Sequence, residues 1–231
     1  MKKYVMELVM SGLLLVCFLL LSRQAAQVSG NTKSQGNNRE VIAVDPGHGG
    51  GDPGMIGVDN LKEKGINLEI ARKLERVLTE KGYRVVMTRK EDQGLYDPSA
   101  LNKKAQDMQR RIALLEEVSP VLTVSIHQNS YSDPSVRGPQ VFYYESSQEG
   151  KKLAQAVQEE MNQKLLPQRP RQIKGNTSYY LLKRSKGTLV IVECGFLTNP
   201  EEAELLQKEE YQQKVAGAVA DGIESYLNSR K

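Results

Sequence analysis

The chain of 231 residues holds two histidines, and each closes an apolar run. The stretch Val41-Ile42-Ala43-Val44-Asp45-Pro46-Gly47-His48-Gly49-Gly50-Gly51-Asp52-Pro53-Gly54 reads as a buried, mostly β-branched strand. A Pro/Gly-rich turn stops it abruptly and holds His48 at its end. The same design recurs where the run 121–126 meets His127, and where the run 188–192 meets Glu193. Two neutral imidazoles and a carboxylate are the donor set of a catalytic zinc site, whose fourth position is left to water. The histidines lie too far apart in sequence for a helical His-Glu-x-x-His motif, so such ligands would have to meet at a sheet edge. Two carboxylates compete for the third place: Glu193, and the Glu63 of Leu61-Lys62-Glu63-Lys64-Gly65-Ile66-Asn67-Leu68. Spacing alone does not assign them. Glu193 stands out because a carboxylate at the end of a buried strand needs a partner or a task.

The elements that would carry these residues follow from periodicity. Apolar residues at Leu68, Ala71, Leu74 and Leu78 predict a helix over 67–81, stopped by Gly82. A strand over 83–88 ends in Arg89. Leu101, Ala105, Met108, Ile112 and Leu115 mark a second amphipathic helix, halted before Pro120. After the strand at 121–126, a further strand is expected at 140–144, then a helix carrying Leu153, Val157, Met161 and Leu165. The segment 167–175 reads as a basic, proline-containing loop with Arg169, Arg171 and Lys174, and 179–182 as a short strand before the last one. Asn199-Pro200-Glu201-Glu202 is a helix start: a capping side chain, proline at the first position, then acids at the positive dipole end. The final helix shows Tyr211, Val215, Ala218, Val219 and Ile223 on one side. Strands alternating with amphipathic helices call for one α/β domain, with a mostly parallel or mixed sheet covered by helices on both faces. In such sheets ligands bind beyond the carboxyl ends of the strands, where His48, His127 and Glu193 fall.

Composition bounds the rest. The chain is 39% hydrophobic and 26% charged, as in a soluble globular protein, and its formal net charge is only +4. That charge, with no Trp and three Phe, gives no footing for nucleic-acid binding. The two cysteines, Cys17 and Cys194, do not make a disulfide framework. Lys2 and Lys3 precede an apolar run over 8–21, too short for a spanning helix of roughly 20 residues and fitting an export signal. Residues 1–26 are accordingly read as a signal peptide or signal-anchor, which places the folded domain outside the cytoplasmic membrane and leaves residues 1–23 as a potential tether. Residues 27–40, rich in Gly, Asn, Ser and Gln, read as a flexible linker. The catalytic domain is expected over 41–229.

Four pieces in order complete the reading: Val44-Asp45-Pro46-Gly47-His48-Gly49-Gly50, Glu63-Lys64 before Asn67-Leu68, Ser125-Ile126-His127-Gln128-Asn129, and Val192-Glu193-Cys194-Gly195-Phe196-Leu197-Thr198-Asn199. Together they resemble the zinc-dependent N-acetylmuramoyl-L-alanine amidases of the amidase-3 type, over nearly the whole chain after the linker. The resemblance implies a six-stranded sheet and one zinc ion per chain, held by His48, Glu63 and His127. It implies Glu193 as catalytic acid/base and peptidoglycan as substrate, cut between the lactyl group of N-acetylmuramic acid and L-alanine. Arg89, at the same sheet edge, and Asn129 are further candidates for substrate contact, while Asp45 is a candidate for holding the loop backbone or orienting a zinc ligand. Such a bare exported domain, without wall-binding repeats, also resembles the sporulation and germination-specific amidases that prepare cortex muramic δ-lactam. Two other readings stand beside it: a zinc carboxypeptidase acting on the stem peptide, and a non-catalytic wall-binding module, against which the presence of Glu193 argues. A regulatory protein partner is left open.

Overall fold

The computed structural model describes residues 40–230, so the expected signal segment, Cys17 and all of the linker but Glu40 lie outside the described residues. Strands β1 (Val41–Pro46), β2 (Arg84–Met87), β3 (Leu122–Asn129), β4 (Gln140–Tyr144), β5 (Lys174–Asn176) and β6 (Leu189–Phe196) form one sheet in the order β2-β1-β3-β6-β4-β5. Neighbours in β2-β1-β3-β6 run parallel. β4 is antiparallel to β6 and parallel to β5, so the sheet is mixed. The helices are α1 (Glu63–Glu80), α2 (Lys103–Val118), α3 (Gln148–Leu165), α4 (Tyr180–Arg184), α5 (Pro200–Leu206) and α6 (Glu209–Ser229).

Side chains alternate across the sheet, and this sorts the strand residues into two cores. Ile42, Val44, Val190 and Val192 join α1, α3 and α6 in the larger one, with Leu74, Val157 and Val219 all buried. Ala43, Leu189 and Ile191 face the opposite way, packing with Leu115 of α2 and Leu181 and Leu182 of α4. Strands buried on both faces explain the near-continuous apolar runs of β1, β3 and β6.

The sequence reading departs from this arrangement at the fifth strand. Residues 179–182 are not a strand. Tyr180–Arg184 is a helical turn, and the fifth strand lies earlier, at Lys174–Asn176, inside the segment read as a loop. The cause is Asn176, whose side-chain oxygen accepts the backbone N–H groups of Ser178 and Tyr179 and turns the chain there. Leu181 and Leu182 are then both buried, which a strand with one buried face would not allow. The helix α1 also begins four residues earlier than expected, bringing Glu63 into its first turn.

Candidate metal centre and active site

His48 sits just beyond β1 with a positive φ of 62°, uncommon for a residue with a side chain. The loop that tolerates this is fastened on several sides. Lys64 Nζ donates to Gly50 O at 2.7 Å and pairs with Asp92 at 2.7 Å, while Gly51 N donates to the Tyr96 hydroxyl at 2.6 Å. Arg111, on the sheet-facing side of α2, donates to His48 O at 2.7 Å and Pro46 O at 3.0 Å. Gly47 is required where it stands, because a Cβ there would lie 2.2 Å from the His127 ring. Gly54 has φ of +70°, and a Cβ on it would come within 2.5 Å of Glu63 Oε2.

Glu63, 1% exposed, lies between the two imidazoles. Its Oε1 is 2.9 Å from His127 Nδ1, and its Oε2 is 3.1 Å from His48 Nε2. One donor atom from each of His48, Glu63 and His127 can be chosen so that all lie within 4.8 Å of one another. The backbone N–H of Met55 donates to Glu63 Oε2 at 2.7 Å and that of Gln128 to Oε1 at 3.0 Å. Burial pushes the Glu63 carboxyl upward, but its hydrogen bonds to and charge interaction with His127 and His48 outweigh this and hold it well below the usual range. Burial opposes protonation of His48, yet Glu63 and then Asp52 raise its pKa above the ordinary value. Asp52 Oδ2 lies 3.0 Å from His48 Nδ1, which leaves Nε2 turned toward Glu63.

Glu193 stands opposite His127 across the β3–β6 pairing and lines the same cavity, of about 500 Å³. It is 7% exposed, and its Oε2 has no hydrogen-bond partner among the described residues. Burial pushes its carboxyl up to about 7. The cavity is also lined by Lys104 and Met108 of α2 and by Tyr179 and Tyr180. Two imidazoles, a buried anionic carboxylate and a second carboxylate with a free oxygen fit a divalent metal such as zinc better than they fit a self-contained protein network.

The remaining candidates fall in different places. Arg89 is 2% exposed and does not line the cavity; its guanidinium donates to the carbonyls of Pro46, Gly47, Lys64 and Glu91. It ties the His48 loop to the start of α1, and burial lowers its pKa to about 10. Asn129 lines the cavity, with Oδ1 accepting from Ser130 N. Asp45 does not touch a histidine: it accepts from Thr88, Ser125 and Arg111, at 2.6, 2.6 and 2.5 Å. Asn67, Asp52 and Arg111 were not singled out from sequence as site residues. Their signals were present: Asn67 and Arg111 interrupt apolar helix faces, and Asp52 lies four residues after His48 in the glycine loop.

Comparison with known proteins gives a match to the N-acetylmuramoyl-L-alanine amidase family over residues 42–225. The chain is 36% identical over 194 residues to the germination-specific N-acetylmuramoyl-L-alanine amidase of Bacillus subtilis, covering 83% of this chain and 81% of that one. It is 33% identical to the amidase LytC of the same organism, covering 81% of this chain but 35% of LytC. Its fold is similar to that of the CwlD amidase from Clostridioides difficile, solved in complex with the GerS lipoprotein, with TM-score 0.80, 35% identity, and coverage of 83% of this chain and 100% of that one.

Proposed function

The chain belongs to the N-acetylmuramoyl-L-alanine amidase family, and on that footing we propose that its reaction runs through one zinc ion held by His48, Glu63 and His127, with Glu193 as acid/base. It is a peptidoglycan amidase. The observation that carries the assignment of roles is the cluster of three donor atoms within 4.8 Å, beside a buried carboxylate with an unpartnered oxygen in the same cavity.

When bound, a zinc ion supplies a Lewis acid that activates water and polarises the scissile carbonyl. The protein does the rest. Asp52 holds His48 Nδ1, so that Nε2 is free to ligate. Met55 N and Gln128 N fix the two oxygens of Glu63. Glu193 takes the proton of the attacking water and passes it to the departing L-alanine nitrogen. The amide between the lactyl group of N-acetylmuramic acid and L-alanine is thereby cut to a carboxylate and a free amine.

The biological setting is part of the proposal. An identity of 36% to a germination-specific amidase supports a role in the spore cortex, and preparation of muramic δ-lactam by this cut is part of the same proposal. The CwlD–GerS complex supports a regulatory protein partner, and wall amidases among the relatives support action outside the cytoplasmic membrane. Among the described residues no helix is long and apolar enough to cross a membrane, and the export signal read at 1–26 lies outside them.

Mass spectrometry of peptidoglycan digested by the zinc-loaded chain tests the reading. Released stem peptides with a free L-alanine amine, and glycan whose muramic acid residues carry free lactyl carboxylates, are expected. Shortened stem peptides still joined to glycan would replace the amidase with a carboxypeptidase.

A further inference from the structure

One buried amide touches all three segments that bear the proposed ligands. Asn67 is fully buried on α1, one turn after Glu63. Its Nδ2 donates to Glu63 Oε1 at 3.1 Å and to Gly47 O at 3.2 Å. Its Oδ1 accepts from Gln128 Nε2 at 3.2 Å. Gly47 precedes His48, and Gln128 follows His127. The geometry points to Asn67 as the positioning residue that sets the orientation of Glu63 and the spacing of the His48 and His127 segments, so that the three ligands are arranged before a divalent cation arrives.

The chemistry of the contact is specific to a side-chain amide. Two acceptors and one donor converge on the site, and only an amide offers two N–H groups and one acceptor at once. Aspartate would put an acceptor against two acceptors, and a leucine of similar shape would strand all three groups. A ligand's orienting partners set metal affinity, and losing one costs on the order of 10–100-fold. This inference rests on the zinc reading above, and its test separates the two.

Zinc affinity is measured for the wild type, Asn67→Ala and Asn67→Ser by competition against a chromophoric chelator, and the visible absorption of each Co²⁺-loaded protein is recorded. Gln158→Ala is the control, since Gln158 is another buried amide, bonded to Val141 N and Pro139 O and to none of His48, Glu63 and His127. Asn67→Ala is expected to weaken zinc by about 10–100-fold and to change the Co²⁺ spectrum, with Asn67→Ser between it and wild type. Gln158→Ala is expected to lower the melting temperature of the metal-free protein while zinc affinity and spectrum stay as in wild type. Should Asn67→Ala fail to fold, Asn67→Ser carries the comparison. A wild type that takes up no zinc overturns the zinc reading beneath the inference. A wild type that binds zinc, with both Asn67 variants within threefold of it and spectra unchanged, overturns the role of Asn67 alone.

Discussion

Glu63 and Glu193 carry the same functional group 130 residues apart in the chain and line the same cavity, yet their surroundings drive them in opposite directions. Glu63 is ringed by donors, from Met55, Asn67, Gln128 and both histidines, and stays anionic. Glu193 is buried with one oxygen unmatched, so its proton is held more tightly. A permanent anion suits a ligand, and a carboxyl that exchanges protons near neutral pH suits an acid/base. Glu63→Ala is therefore expected to lose metal and activity together. Glu193→Gln is expected to keep zinc and substrate binding while kcat falls by about 10²–10⁴. Zinc content beside turnover on muropeptide checks both. Loss of zinc from Glu193→Gln with retention in Glu63→Ala would reverse the roles.

At the scale of elements, the Asp45–Arg111 pair joins β1, β2, β3 and α2 under the site. Asp45 is fully buried, and Arg111 bonds it while also holding Asp107 at 2.6 Å and the carbonyl of His48. Burial raises the Asp45 carboxyl, but Arg111, Ser125 and Thr88 prevail and bring it from 3.8 to about 2. Because the folded value lies below the unfolded one, this stabilisation is complete above about pH 4 and is lost as pH falls toward 2, about 2 kcal/mol in all. Arg111→Met leaves a buried carboxylate without its counter-charge and is expected to cost about 3–5 kcal/mol at neutral pH. Its acid-dependent loss between pH 4 and 2 should also shrink, since Asp45 no longer favours the ionised form in the fold. Urea unfolding of both proteins across pH measures this. A cost below about 1 kcal/mol with an unchanged acid profile would show that the pair does not hold these elements together.

At the scale of the whole molecule, the residues before the fold carry the expectation of export. Lys2 and Lys3 followed by the apolar run 8–21 predict export, so residues 1–40 fused to a reporter active only outside the cytoplasm should give signal. A reporter retained inside the cell would give that run another purpose. Within the fold, the sequence by itself determined the order and type of most elements. Strands buried on both faces must be apolar throughout, and covering helices must show one apolar stripe, so β1, β3, β6 and α1 were plain in their residues. It also marked both histidines and Glu193, since a polar group that follows an apolar run stands out locally, although β3 and β6 continue past His127 and Glu193. Glu63 was an ordinary charged residue until its motif was matched to a family. The turn at Tyr180–Arg184 was misread because a run of four residues carries too little periodicity to separate strand from helix, and the deciding bond comes from Asn176. What only the tertiary structure decided is partnership. Arg89 caps four backbone carbonyls and is not among the residues lining the cavity, Asp45 pairs with Arg111 from another layer, and Asn67 bonds three segments. Each of those choices depends on which donor and acceptor the folded chain brings within about 3 Å, a distance that no local pattern of residues encodes.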